Sequence, residues 1–283
     1  MAQRGAATEG RPYIDSSFEP TTGRDSFQPF KRGVAGTVER EDLIKLAECT
    51  GLGPEPEVTL IKRAGPSGKR LGVFSSSFNP LTIAHLEVMR AAAEGVGLDE
   101  VLALAGKTNA DKSDYDCPLE VRIEMLLAGL SQFPNMSVGL SSSAFFVDKV
   151  DSLARHYPAR TEIFFIVGFD TFERVLDSED RYTTRYHRRF RGPADALNYL
   201  LSRSHLIVAG RLDKGREEVR RLVEREAAGL SQRIIFLEPA SELRDRSAGE
   251  VRCRIEAGLP VNGLVPEAVE RYIDQHGLYK RIR

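Results

Sequence analysis

Ser75, Ser76 and Ser77 run into Phe78-Asn79-Pro80, and Thr82 and His85 follow three residues apart. These residue types at this spacing suit the binding of phosphate. Small residues let main-chain N–H groups approach an anion, and a proline near a helix start gives up no hydrogen bond. Positions three apart share one helix face. The stretch follows the apolar run Leu71 to Phe74, so the order of parts is strand, tight turn, helix. At the first such turn of an open parallel sheet, free N–H groups and the positive end of the helix dipole converge, and nucleotide phosphates bind there. A Ser/Asn/Pro cluster between apolar runs is also an ordinary loop, and a histidine near a helix start is also a cap. Spacing alone leaves both readings open.

A second stretch able to do chemistry is Asp177 to Arg191. It carries Arg181, Arg185, Arg188, Arg189 and Arg191, with Arg174 just upstream and Tyr182, Tyr186 and Phe190 interleaved. One reading is a lid that closes arginines over an anion and stacks a ring on an aromatic side chain. The other is a solvated connector. The run is short for a nucleic-acid surface, and 40 basic residues balance 41 acidic ones in the chain, so no overall field draws nucleic acid or a membrane.

The elements that must position these residues alternate. Strands are predicted at 70–74, 100–104, 136–140, 162–167, 205–209 and 233–237. Helices are predicted at 83–94, 119–130, 147–156, 194–201 and 215–226, and two more at 248–256 and 266–275 close the chain. Strands separated by helices of this length form βαβ units around a parallel sheet covered on both faces. The predicted class is therefore α/β, a doubly wound Rossmann-like parallel sheet. Residues 1–69 read as an N-terminal extension, made of a polar arm over 1–35, an amphipathic helix over 39–48, a short strand near 57–63 and a linker. The main domain is expected over 70–283.

With 283 residues and 41% hydrophobic content, the chain can bury one large core. No apolar stretch approaches the roughly 20 residues of a membrane span. Residues 1–10 lack the apolar segment of a secretory signal. Cys49, Cys117 and Cys253 form neither a disulfide framework nor a metal-type pair. A cytoplasmic location is the simplest expectation, with nuclear or mitochondrial placement left open. Oligomeric state is open too, a homo-oligomer included.

Taken together, Ser76-Ser77-Phe78-Asn79-Pro80-x-Thr82-x-x-His85 resembles the signature of the nucleotidyltransferase superfamily. The form with Asn79 and Thr82 is most similar to nicotinamide mononucleotide adenylyltransferases of eukaryotic type. A second resemblance lies at Ser247-Ala248-Gly249-Glu250-Val251-Arg252, where the family carries Ser-Ser-Thr-x-x-Arg, and the tail Leu264-Val265-Pro266, Tyr272-Ile273, His276-Gly277-Leu278-Tyr279 resembles the family's ending. A third is Phe165-Ile166-Val167-Gly168-Phe169-Asp170. The three occur in the family's order across residues 70–280. The extension before residue 70 suggests a fungal-type or cytidylyltransferase-like branch.

The resemblance implies a fold of the nucleotidyltransferase type and transfer of AMP from ATP to nicotinamide or nicotinate mononucleotide, with pyrophosphate leaving. His85 and Thr82 would donate to phosphate oxygens, and Arg252 would clamp the β- or γ-phosphate. Ser76, Ser77 and Phe78 would contact nucleotide through the main chain. Lys107 or Lys112 would place a charge on a phosphate, Gly168 and Asp170 would hold a ribose, and Arg211 matches a family arginine. Ser247, Gly249, Glu250 and Val251 would bring helix N–H groups to the polyphosphate, although Ala248 and Gly249 remove two hydroxyl donors. Magnesium would arrive mainly through the ATP phosphates. A cytidylyl- or phosphopantetheine adenylyltransferase, or a nucleotide-binding homologue that hydrolyses ATP without making a dinucleotide, remains an alternative.

Overall fold

A computed structural model describes residues 38–53, 55–65, 68–108, 117–210, 214–238 and 247–280. Its centre is a seven-stranded sheet ordered β1-β4-β3-β2-β5-β6-β7. The strands are β1 (Val58–Lys62), β2 (Arg70–Ser76), β3 (Glu100–Gly106), β4 (Met136–Ser141), β5 (Glu162–Gly168), β6 (His205–Ala209) and β7 (Ile234–Leu237). All neighbours pair in parallel except β1, which runs antiparallel to β4 along one edge.

The helices are α1 (Arg40–Cys49), α2 (Ile83–Val96), α3 (Leu119–Gly129), α4 (Phe146–Leu153), α5 (Phe169–Leu176), α6 (Thr183–Tyr186), α7 (Pro193–Arg203), α8 (Arg216–Glu226), α9 (Ala248–Glu256) and α10 (Glu267–His276). Successive strand residues point to opposite faces of the sheet, and here both faces are apolar. In β3, Val101, Ala103 and Ala105 join one core with Leu86, Met89 and Leu126. Leu102 and Leu104 join the other with Val150, Phe172 and Leu200. Two helical layers therefore sandwich the sheet. The alternation of strand and helix in the sequence requires this arrangement.

The chain order reverses at β2. Its neighbours are β3 on one side and β5, reached only after two further strands, on the other. A crevice opens at the carboxyl ends of strands at such a switch point, so Ser76 and Gly168, the last residues of β2 and β5, stand at its two lips.

Two expectations change. Residues 40–62 are not an appendage, because β1 completes the sheet edge through four register pairs with β4 and α1 packs on α3. The boundary expected at 69/70 divides no structural unit. The segment 177–191 is neither an open lid of arginines nor a loose connector. Asp177 is buried, and its carboxylate accepts from the N–H groups of Arg181, Tyr182 and Thr183 and from the Thr183 hydroxyl. The arm over 1–35 lies outside the described residues.

Candidate active site

Thr82 and His85 form a reciprocal cap at the start of α2. The Thr82 hydroxyl accepts from the His85 N–H at 3.2 Å, and His85 Nδ1 accepts from the Thr82 N–H at 3.1 Å. A backbone N–H can only donate, so Nδ1 carries no proton and the neutral ring holds its proton on Nε2. The ring packs against Phe74 and Phe78, at centroid distances of 5.7 and 5.4 Å. Burial pulls its pKa down to about 4. His85 is therefore an uncharged N–H donor at neutral pH, held at the positive end of a helix.

The turn before it is fixed from several directions. Phe78 adopts φ 45°, a left-handed conformation rare outside glycine, and its fully buried ring anchors the bend. Asn79 O accepts from Arg252 Nη1 at 2.7 Å, and Asn79 Oδ1 accepts from the Tyr279 hydroxyl at 2.7 Å. Ile83 N donates to Leu264 O at 2.9 Å. Residues between Arg252 and Tyr279 thus close on the same turn that His85 caps. Burial, with Cys117 nearby, raises the Tyr279 hydroxyl above its ordinary pKa, so Tyr279 stays a donor.

Behind the turn, Arg122 of α3 is only 2% exposed, and its Nη1 donates to Ser77 O at 2.6 Å and to Gly106 O at 3.3 Å. With those carbonyls drawn toward α3, the ends of β2 and β3 are held together. Its role is to position the serine turn.

On the other side, Ser75, Ser76 and Ser77 form one wall of a cavity of about 280 Å³. Phe145, Phe146 and Lys149 of the α4 region, Arg174 of α5, and Phe190, Leu197 and Leu200 complete an apolar chamber with a few polar groups. His187 also lines it. Its Nε2 donates to Asp148 Oδ1 at 2.7 Å, while Asp148 Oδ2 accepts from the Ser143 hydroxyl at 2.6 Å. Burial lowers the Lys149 amine to about 7 despite the opposing pull of Asp148. His85 and Arg252 do not line this cavity. The serine turn therefore separates a chamber on one side from the His85 and Arg252 donors on the other.

No known family model matches the chain. A protein of Dehalococcoides mccartyi named "Probable nicotinate-nucleotide adenylyltransferase" is 27% identical over 218 residues, covering 75% of this chain and 98% of that one. Proteins of the same name from Moorella thermoacetica and Thermus thermophilus are 28% and 29% identical, covering 79% and 75% of this chain and 95% and 100% of theirs. Among solved structures, the nicotinic acid mononucleotide adenylyltransferase of Plasmodium falciparum complexed with NaAD superimposes with a TM-score of 0.57. It is 15% identical and covers 75% of this chain and 98% of that one, so it speaks for the fold. The chain thus resembles nicotinate-nucleotide adenylyltransferases in sequence over three quarters of its length and shares the fold of one.

The residues expected at the site take distinct places. Gly168 and Asp170 flank the start of α5, both exposed, with open space where a side chain at Gly168 would stand. Ser247 caps α9 by accepting from the Glu250 N–H at 3.1 Å. The N–H groups of Ala248 and Gly249, in the first turn, have no acceptor within the helix. Glu250 is exposed and pairs loosely with Arg254. Val251 is buried in the core, and its N–H donates to Ser247 O, so it supports Arg252 by packing. Lys107 donates to Thr50 O at 2.7 Å and Glu48 O at 3.3 Å. It ties down the end of α1, a helix the expectation for this lysine left out. Lys112 and Arg211 lie outside the described residues.

Arg122, Lys149, Asp148 and His187 are the site residues the sequence did not single out. Arg122 stands among buried Val121, Ile123 and Met125 on α3, and a charge inside an apolar stretch was its one visible signal. Asp148 and His187 are 39 residues apart, and no local pattern pairs them.

Proposed function

We propose that the protein transfers the adenylyl group of ATP to the 5′-phosphate of a pyridine mononucleotide, forming the dinucleotide and releasing pyrophosphate. The observation that carries this reading is the meeting, at one serine turn, of a chamber sized for a nucleotide and the His85 and Arg252 donors. The acceptor phosphate is already ionised at neutral pH, so its oxygen attacks the α-phosphorus without a protein base. The bond from that phosphorus to the bridging oxygen breaks, and pyrophosphate takes the electron pair. Catalysis then consists of alignment and of donors aimed at the charge that develops on the phosphoryl oxygens.

The neutral Nε2–H of His85 fits that task because its direction is set by Thr82, and Arg252 fits it as a forked cation steadied by Asn79 O. The N–H groups at the starts of α2 and α9 add partial positive charge. Gly168 and Asp170, at the opposite lip, are placed to accept ribose hydroxyls. The groups around the serine turn are hydroxyls, N–H donors and cations, a set that fits magnesium held chiefly by phosphate oxygens and waters. That ion would neutralise the polyphosphate.

Incubating the protein with magnesium-ATP and nicotinate or nicotinamide mononucleotide, then identifying products by mass spectrometry, tests the reading. Dinucleotide and pyrophosphate in equal amounts are expected. Hydrolysis of ATP with no dinucleotide from either acceptor would replace transfer by nucleotide binding alone.

A further inference from the structure

The scheme above leaves one buried amine of the chamber unused. Lys149 lines the cavity and is 4% exposed. It donates to Ala144 O at 2.7 Å and stands 4.8 Å from the Phe146 ring centre. An ammonium has three N–H groups, and among the described residues no other acceptor reaches this one. Asp148, its neighbour, is already committed to His187 and Ser143. A buried cation with donors to spare costs stability that an apolar side chain of the same length would not. Its position at the wall makes sense if an anion enters the chamber.

We propose that Lys149 reads the ring substituent of the acceptor, its ammonium binding the carboxylate of nicotinate mononucleotide in preference to the carboxamide of the nicotinamide form. This rests on the acceptor being a pyridine mononucleotide. The acceptor phosphate must lie at the serine turn to reach the α-phosphorus, so the ring points away from it. Phe146, Phe190, Leu197 and Leu200 offer that ring an apolar slot, and Lys149 stands against Phe146. A carboxylate placed there makes charge-assisted bonds, whereas a carboxamide meets the same ammonium through one neutral oxygen. The depressed amine is consistent with this, since a bound carboxylate would restore its proton. The other charged and titratable groups facing the chamber are Arg174 of α5 and Asp177, Tyr182 and His187 of the 177–191 segment, with Asp148 bonded to His187 from outside its wall.

The test compares kcat/KM for the two mononucleotides in the wild type, Lys149→Met and Lys149→Arg. The ratio of nicotinate to nicotinamide should fall about 10- to 100-fold in Lys149→Met, the scale of one hydrogen bond to a charged group. It should be largely kept in Lys149→Arg. Equal losses on both acceptors would overturn the proposal, because the amine would then hold the shared phosphate or only pack. An unchanged ratio would overturn it as well. Thermal melting confirms that Lys149→Met folds, as removal of an under-partnered buried charge favours. Should the wild type adenylylate neither mononucleotide, the transfer reading fails by itself. Titration calorimetry then measures the affinity ratio directly, and equal affinity of wild type and Lys149→Met for nicotinate mononucleotide would refute the role of Lys149.

Discussion

The two sides of the serine turn are built by opposite means. Toward α2 and α9, polar groups are satisfied by near neighbours or by main chain: Thr82 and His85 cap one another, and Arg252 rests on Asn79 O. Toward α4 and α7, the chamber draws its groups from six separate stretches, and its Lys149 amine is buried with donors to spare. The first arrangement suits an invariant task, holding phosphate. The second suits discrimination, because a buried group that must be satisfied by ligand penalises the wrong one.

Mutations can break this division. His85→Ala or Arg252→Ala should lower kcat by about 10²–10³-fold, the scale of losing one transition-state donor, and equally for either acceptor in steady-state assays. Full activity would remove that residue from the mechanism, and a loss confined to one acceptor would dissolve the boundary between the two sides. Arg122→Met should cost about 2–3 kcal/mol in urea denaturation, since two buried carbonyls lose a charged donor, and should impair both acceptors alike.

The pH dependence sharpens the contrast. With Lys149 near 7 in the free protein, the nicotinate-to-nicotinamide ratio of kcat/KM should fall about tenfold between pH 6 and pH 8 as the amine loses its proton. A ratio flat over that range would take Lys149 out of selection. His85, depressed to about 4, should add no inflection near 6.5. It acts on stability instead: between pH 6.5 and 4 the unfolded chain takes up a proton that the folded one refuses, so stability falls as the medium is acidified through that window. His85→Gln should flatten that part of the curve in denaturation series. The smallest effect belongs to Lys107→Ala, about 0.5–1 kcal/mol from freeing the last carbonyls of α1. A hundredfold loss of turnover at unaltered stability would put this amine on a phosphate after all.

Much of the fold was legible. Each of the six parallel strands begins within one residue of its expected start, because a strand buried on both faces reads as a continuous apolar run. The strand ends were less legible, since β2 and β3 continue into Ser76 and Gly106, residues whose propensities favour turns. No helix was expected at α5, although Phe169, Phe172 and Leu176 recur at i, i+3 and i+7 and are its buried residues. The Gly168-Phe169-Asp170 stretch drew the reading toward a ligand contact and away from that period.

The sequence by itself determined the alternating strands and helices, the serine turn and the cap at Thr82 and His85, because periodicity and capping act over a few residues. Only the tertiary structure decided that Arg252, Leu264 and Tyr279 close on that turn, that Lys107 anchors α1, and that His187, held by Asp148, shares one chamber with Lys149. Those are contacts between positions far apart in the chain, selected by how two helical layers pack on a twisted sheet, and no local pattern carries that information.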